Sequence, residues 1–302
     1  MGTPPCIRSL VVFRQVSSPV SGPLDKSHAR RAFERAALGY DKSAILQREV
    51  GQRLLERLDG IRLAPSLILD LGAGTGLAAS GLWSRYPNAQ QLALDFAPAM
   101  LRQARSLDHP LWRVGGDMES LPIRTSCADL VFSNLALQWI NDIPGALGEM
   151  MRVLRPGGLL LFSTLGPDTL QELRAAWAEV DGSAHVSPFM DLHDLGDLLL
   201  ATGFSDPVTD VERFTLTYHQ VTDLMRDLKN IGAHNVLLGR HAGLTGKGRL
   251  TAMQQAYEKF RQADHRLPAT YEVVYGHAWA PWQRHLPGGA VGVSLESLQR
   301  KL

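Results

Sequence analysis

Residues 67–76 read Leu67-Ile68-Leu69-Asp70-Leu71-Gly72-Ala73-Gly74-Thr75-Gly76, a short apolar run that passes directly into three closely spaced glycines. Apolar side chains at nearly every position of 67–71 suit a strand buried on both faces, as in a parallel sheet. The glycines allow a tight turn and let the backbone approach a ligand closely. A strand, glycine loop and helix start in this order open a doubly wound sheet, in which ligands bind at the strands' carboxyl ends.

The same rhythm continues outward from this unit. Gln91–Asp95, Leu111–Val114, Asp129–Ser133 and Leu159–Ser163 read as strands. Pro98–Ser106 and Ile143–Leu154 read as helices, the second ended by Arg155-Pro156-Gly157-Gly158. Strand–helix alternation of this kind predicts an α/β fold with a doubly wound, mostly parallel sheet. Helical stretches near 26–38 and 42–58 precede it. After Ser163 the pattern predicts helices near 168–180 and 191–201, a short strand pair around 207–217, a helical block over 220–262 and a final strand, Thr270–Trp279.

The ligand can be read from the loop and the acids that follow it. A dinucleotide loop of the form G-x-G-x-x-G would put its third glycine at position 77, where this chain has Leu77. Asp70, beside the loop, suits a cationic ligand end better than a diphosphate. Asp95 ends the second strand 25 residues later, where a carboxylate holds a ribose diol. Asp117 follows the third strand and suits an adenine amino group, with Met118 packing on the ring.

Composition closes off other classes. With 302 residues, 45% hydrophobic and 20% charged, the chain falls in the globular range, not the disordered or fibrous one. Two cysteines, Cys6 and Cys127, make neither a disulfide framework nor a zinc site, and no metal centre is expected. No apolar run approaches the ~18 residues of a membrane span, and Leu10–Phe13 is too short for a signal peptide, so the expected compartment is the cytoplasm. Residues 1–24, with four prolines, read as a loosely ordered extension. The net charge of +1 is unevenly spread: residues 1–35 and 221–266 each carry +4, and residues 36–220 carry −8. Two basic segments suit an acidic macromolecular partner as well as ordinary solvated helix faces.

Over about residues 67–163 the loop, the acids at successive strand ends and the Arg155–Gly158 turn resemble the class I S-adenosylmethionine-dependent methyltransferases. Four further segments narrow the resemblance: Ala36–Asp41, Ser133–Trp139, Ser163–Leu170 and Leu224–Asn235. Over about residues 25–280 the chain is similar to the malonyl-acyl-carrier-protein O-methyltransferases of biotin synthesis. The resemblance implies a seven-stranded Rossmann-like sheet and a methyl transfer from S-adenosylmethionine to the free carboxylate of a malonyl thioester. It also implies acyl carrier protein, an acidic protein, as partner, with neither nucleic acid nor membrane involved. The implied layout is one domain: a lid at 25–60, a cofactor core at 61–165, additions for the substrate at 166–265, and a final strand and tail at 266–302.

By the same resemblance, Asp70, Gly72, Gly74, Asp95, Asp117, Met118 and Ser133 are expected around the donor, with Gly76 and Phe96 as neighbours. On the acceptor side the candidates are Tyr40 in the lid, Gln138 and Trp139 after the fourth strand, and the cations Arg174 and Lys229. Arg226 and Lys229, three apart, could instead meet the carrier. A carboxylate acceptor, with a pKa near ~4, is already ionised and needs no strong general base. Ser187–Phe204 and Pro268–Tyr271 also look like a complex I assembly factor that shares the fold and acts on a protein subunit. A methyltransferase of free dicarboxylic acids, or a protein that binds the donor without chemistry, completes the set of alternatives.

Overall fold

Leu67, Leu69 and Leu71 turn to one face of a central sheet and Ile68 to the other, and both faces are covered. The computed structural model describes residues 23–104, 110–240, 243, 245–285 and 291–293. Three helices come first: α1 (Lys26–Ala36), α2 (Tyr40–Ser43) and α3 (Ile45–Glu56). The alternating core follows as β1 (Leu67–Leu71), α4 (Ala79–Arg85), β2 (Gln90–Asp95), α5 (Pro98–Gln103), β3 (Leu111–Gly115), β4 (Ala128–Asn134), α6 (Ile143–Val153) and β5 (Leu154–Leu165). Then come α7 (Gln171–Ala178), α8 (Leu192–Thr202), β6 (Ser205–Tyr218), α9 (Val221–Asn230), α10 (Lys247–Tyr257) and β7 (Leu267–Trp279). A small hairpin, β8 (Gln283–His285) with β9 (Val291–Val293), lies apart from the main sheet.

The seven-stranded sheet has the order β3-β2-β1-β4-β5-β7-β6. Strands β1 to β5 are parallel, and β7 runs antiparallel between β5 and β6. The expected α/β class, with a mostly parallel doubly wound sheet, is the one found. The order turns back between β1 and β4, so the connections on either side of these two strands diverge and leave a crevice at their carboxyl ends. Strand residues alternate between two cores: Leu130, Phe132, Leu159 and Leu161 join Ile68, while Val131, Leu160 and Phe162 join Leu69. Among the described residues no helix is long and apolar enough to cross a membrane.

Several expected elements differ. The strand pair around 207–217 is one 14-residue strand, β6, antiparallel to β7 along its length. Pro207 is tolerated there because β6 is an edge strand and Pro207 falls within a register shift, where its missing N–H costs little. The helical block at 220–262 is two helices, and the loop between them packs on α1: a Cβ on Gly232 would lie 3.2 Å from the Phe33 Cα. The Arg155–Gly158 turn lies within β5, which starts at Leu154. Most of the extension 1–24 and the end of the tail lie outside the described residues. Leu24, at the extension's end, is buried: its N–H donates to the Asn141 Oδ1 at 2.7 Å, and it bridges to Leu237.

Candidate active site

The glycine loop spends its amides inside the protein. Gly72 and Ala73 both donate to the Leu94 carbonyl, at 2.8 and 3.1 Å, and Gly76 donates to the Ala73 carbonyl at 2.9 Å. Gly74 donates to the Asp95 Oδ2 at 2.9 Å. These four amides are therefore not free to cradle a diphosphate, in agreement with the displaced third glycine. Gly72 and Gly74 have φ of 71° and 56°, in the left-handed region that favours glycine. A Cβ on Gly72 would lie 2.3 Å from the Ala136 Cβ, whereas one on Gly74 would meet nothing within 4 Å. The open side of Gly74 is where a ligand can lie against bare backbone.

Asp95 is fixed by two amides, Gly74 at Oδ2 and Ala97 at Oδ1 (2.8 Å). Each carboxylate oxygen can accept a further bond, so the group is aimed and still has capacity for two hydroxyls. Burial pushes its pKa up to about 6, against the pull of the two amides. Asp70, likewise buried, is pushed up to about 7, first by burial and then by Asp95. Two such carboxylates close together favour a ligand that supplies donors and positive charge.

One cavity runs from this corner beneath the N-terminal helices and encloses about 1380 Å³ of space, part of it open to solvent. At one end lie Gly72, Gly74, Asp95, Phe96, Asp117 and Met118. The other end is formed by Gln138, Leu165, Thr169, His185, Phe189 and Tyr271. The N-terminal helices are tied down at three places. Lys26 Nζ pairs with Asp117 Oδ2 at 2.5 Å and with Glu119 Oε1 at 2.8 Å. Thr75 Oγ1 donates to the Asp41 Oδ1 at 2.5 Å, fastening α2 to the glycine loop. Phe33 packs edge-on against both Phe96 and Trp139, with centroids 5.8 and 5.0 Å apart.

The structure brings together most of the residues named from sequence. Gly72, Gly74, Asp95, Phe96, Asp117 and Met118 line the cavity, as do Tyr40, Gln138 and Trp139. Tyr40's hydroxyl is held above its ordinary pKa, by burial first and then by Asp95 and Asp41, so it keeps its proton and can donate. Gln138 has one amide N–H committed to the Leu135 carbonyl at 2.7 Å.

Others are placed differently. Asp70 and Gly76 lie outside the lining; Gly76 packs toward Ala104, whose Cβ would be 3.2 Å from an added methyl. Ser133 is fully buried and donates to the Leu71 carbonyl at 2.8 Å, joining β4 to the end of β1 instead of facing a ligand. Arg174 faces away from the cavity and holds the Pro167 and Thr169 carbonyls, at 2.9 and 3.1 Å, thereby bracing the loop after β5. Lys229 is exposed at the end of α9, outside the lining, and Arg226 is exposed and paired with Asp223 at 2.7 Å.

The sequence reading missed Lys26, Asn134, His185, His234 and Tyr271. Asn134 donates to the Gln47 carbonyl and accepts from the Ser163 hydroxyl, both at 2.8 Å, seating α3 on the strand ends. His185 stacks on Trp177 at 3.8 Å and lies 2.9 Å from the Asp181 carboxylate. Asp181-x-x-x-His185 was a local signal; for Tyr271 there was none, because its place depends on which strand β7 pairs with.

The sheet order, the crevice and the carboxylate at the end of β2 are those of the class I S-adenosylmethionine-dependent methyltransferases. Residues 69–162 match the methyltransferase domain family. A Thermotoga maritima S-adenosylmethionine-dependent methyltransferase has the same fold, with a TM-score of 0.50 and 16% identity over 84% of this chain and all of that one. Much nearer in sequence are two malonyl-acyl-carrier-protein O-methyltransferases. That of Methylovorus sp. is 53% identical over 276 residues, covering 88% of this chain and 93% of the relative. That of Laribacter hongkongensis is 52% identical over 271 residues, covering 86% and 91%. The chain belongs to the malonyl-acyl-carrier-protein O-methyltransferase family.

Proposed function

We propose that this enzyme transfers the methyl group of S-adenosylmethionine to the free carboxylate of a malonyl thioester carried by acyl carrier protein, giving the methyl ester that starts the biotin side chain. The observation that carries the reading is the continuity of the cavity, with a donor corner at Asp95 and an acceptor corner around Gln138, His185 and Tyr271 under one lid. The residues at the donor corner fit S-adenosylmethionine. Asp95 has acceptor capacity for a ribose diol, Gly74 leaves space, and Met118 offers an apolar surface for a base. When bound there, the cofactor supplies an electrophilic methyl on a sulfonium centre.

The chain's own part is orientation. The acceptor carboxylate is ionised at neutral pH, so no residue has to take its proton. What it needs is donors that hold one oxygen and leave the other free to attack. The protonated hydroxyl of Tyr40 and the amide of Gln138 are suited to this. Phe33, Phe96 and Trp139 close the site with apolar edges, and fixing two reactants in line in a dry cavity supplies much of the rate. Residues 25–60 then act as lid, 61–165 as cofactor core and 166–265 as the acceptor side, within one domain that works in the cytoplasm. The complex I assembly-factor reading is not favoured, since relatives 40–53% identical over most of the chain are named malonyl-acyl-carrier-protein O-methyltransferases.

The test is transfer of labelled methyl to malonyl-acyl carrier protein, with acetyl-acyl carrier protein as control. Base-labile label on the malonyl form alone is the expected result. Donor binding with no transfer to the malonyl form would overturn the carboxyl-methylation reading.

A further inference from the structure

The two basic sequence segments, far apart in the chain, meet at the cavity mouth. Backbone bonds join them: Asp25 N–H donates to the Val236 carbonyl at 2.7 Å, and Leu238 N–H to the Pro23 carbonyl at 2.9 Å. On α1, His28, Arg31 and Arg35 follow at three- and four-residue spacing and so share one side of the helix. Opposite them stand Lys229, His234 and Arg240. Arg240 Nη2 lies 3.3 Å from the His28 Nδ1. His234, half-buried, lines the cavity together with Ala233 and Asn235. The charges acting on His234 are Arg35, His28 and Lys229, which together with burial lower its pKa.

This clustering is not neutralised. Among the described residues, Arg31, Arg35, Lys229 and Arg240 have no carboxylate partner, whereas Arg30 and Arg226 nearby are paired with Glu34 and Asp223. The one acid acting on His28 is Asp25, which caps the same helix and accepts the His28 N–H at 2.9 Å. Uncompensated cations around a cavity mouth raise the local concentration of an anionic reactant. Their layout also indicates its kind. Arg31 and Arg35 are exposed, and positions 28 to 35 of α1 span about 10 Å. A single phosphate is held by converging donors; a line of exposed cations over two elements suits an extended acidic protein face.

We propose that His28, Arg31, Arg35, Lys229, His234 and Arg240 form the surface on which the acidic face of the carrier protein docks, placing its thioester arm at the cavity mouth. The proposal rests on the carrier-borne substrate proposed above and adds where that carrier is met. Complementary charge of this sort acts chiefly on the encounter rate and on partner choice.

The experiment compares the parent enzyme with the R31E/R35E double variant on two substrates: malonyl-acyl carrier protein and malonyl-pantetheine, which has neither protein nor phosphate. The expected result is a fall of about tenfold or more in kcat/KM for the carrier substrate, with its salt dependence flattened and malonyl-pantetheine turnover unchanged. Lys229→Glu, from the other segment, should show the same split. Unchanged kcat/KM for the carrier substrate, or equal falls on both substrates, would overturn the docking surface. Transfer by the parent to neither thioester would instead overturn the carboxyl-methylation reading. In that case calorimetric titration with the carrier protein decides the surface: binding by the parent that the double variant loses supports it, and no difference overturns it.

Discussion

Donor binding should depend on pH through Asp95, and the size of the effect follows from its surroundings. In the free protein burial raises its pKa to about 6. Ribose hydroxyls donating to it would favour the ionised form and lower that value. Binding below about pH 6 must then expel a proton. At about pH 5 roughly one molecule in ten has Asp95 ionised, so affinity for S-adenosylhomocysteine should fall about tenfold from about pH 7.5, or about 1.4 kcal/mol. Asp70, raised to about 7, steepens the fall if the ligand's ammonium needs it ionised, and the two carboxylates then titrate as a pair. The folded, ligand-free protein keeps these protons to higher pH than the unfolded chain. Their contribution to stability is therefore full below about pH 4 and is lost as pH rises through about 6 to 7. The ligand-induced rise in Tm should accordingly be larger at about pH 7.5 than at about pH 5. Calorimetric titration in buffers of different ionisation heat measures both affinity and proton release. Asp95→Asn should bind about 1–3 kcal/mol more weakly at neutral pH, by loss of a charged hydrogen-bond acceptor, and show a flatter profile. A parent affinity that stays constant between about pH 5 and about pH 7.5, together with an Asp95→Asn variant of parental affinity, would refute the reasoning.

Three further outcomes separate ligand-facing residues from structural ones. Ser133→Ala should cost about 1 kcal/mol in denaturant unfolding, from the lost bond to the Leu71 carbonyl, and leave S-adenosylhomocysteine affinity unchanged; a large loss of affinity would return Ser133 to the donor site. Arg174→Met should likewise destabilise, by about 1.5–3 kcal/mol through two charged bonds to carbonyls, with a cofactor KM like the parent's. Lys26→Met should free α1 from Asp117 and Glu119, seen as faster limited proteolysis in the N-terminal helices and several-fold weaker donor binding; an unaltered cleavage rate would show that Phe33 and the Thr75–Asp41 bond suffice to hold them.

The donor half of this site was legible because it is local. A strand, its glycine loop and the acids at the next strand ends are read from a hundred consecutive residues, and the parallel sheet dictates where they meet. Asp95 is the clearest case, since its backbone partners Gly74 and Ala97 are fixed by the same short connections. Ser133 shows the limit. It lies next to last in the right strand, but period-two alternation turns its hydroxyl under β1, and the next residue, Asn134, lines the cavity. The long edge strand was expected as a short pair because its continuous pairing along β7 is a property of the whole sheet.

The other end was legible only in part: Gln138 and Trp139 line the cavity as expected, but His185 and Tyr271 come from segments that meet only in the finished fold. Tyr271 reaches the cavity because β7 inserts antiparallel between β5 and β6, so a residue near the chain's end lies beside the β5 loop. Arg174 and Lys229, the cations expected on the acceptor side, both lie outside the cavity lining. An arginine can brace backbone carbonyls from within a loop, and a lysine at a helix end stays in water, where its long stem loses least entropy. What the sequence held was the sum of charge in two segments, without their meeting place. The fold supplies that place through two backbone bonds between the chain just before α1 and residues 236–238. A docking surface of the kind proposed depends on summed field, so it would survive an error in the role assigned to any one lysine or arginine.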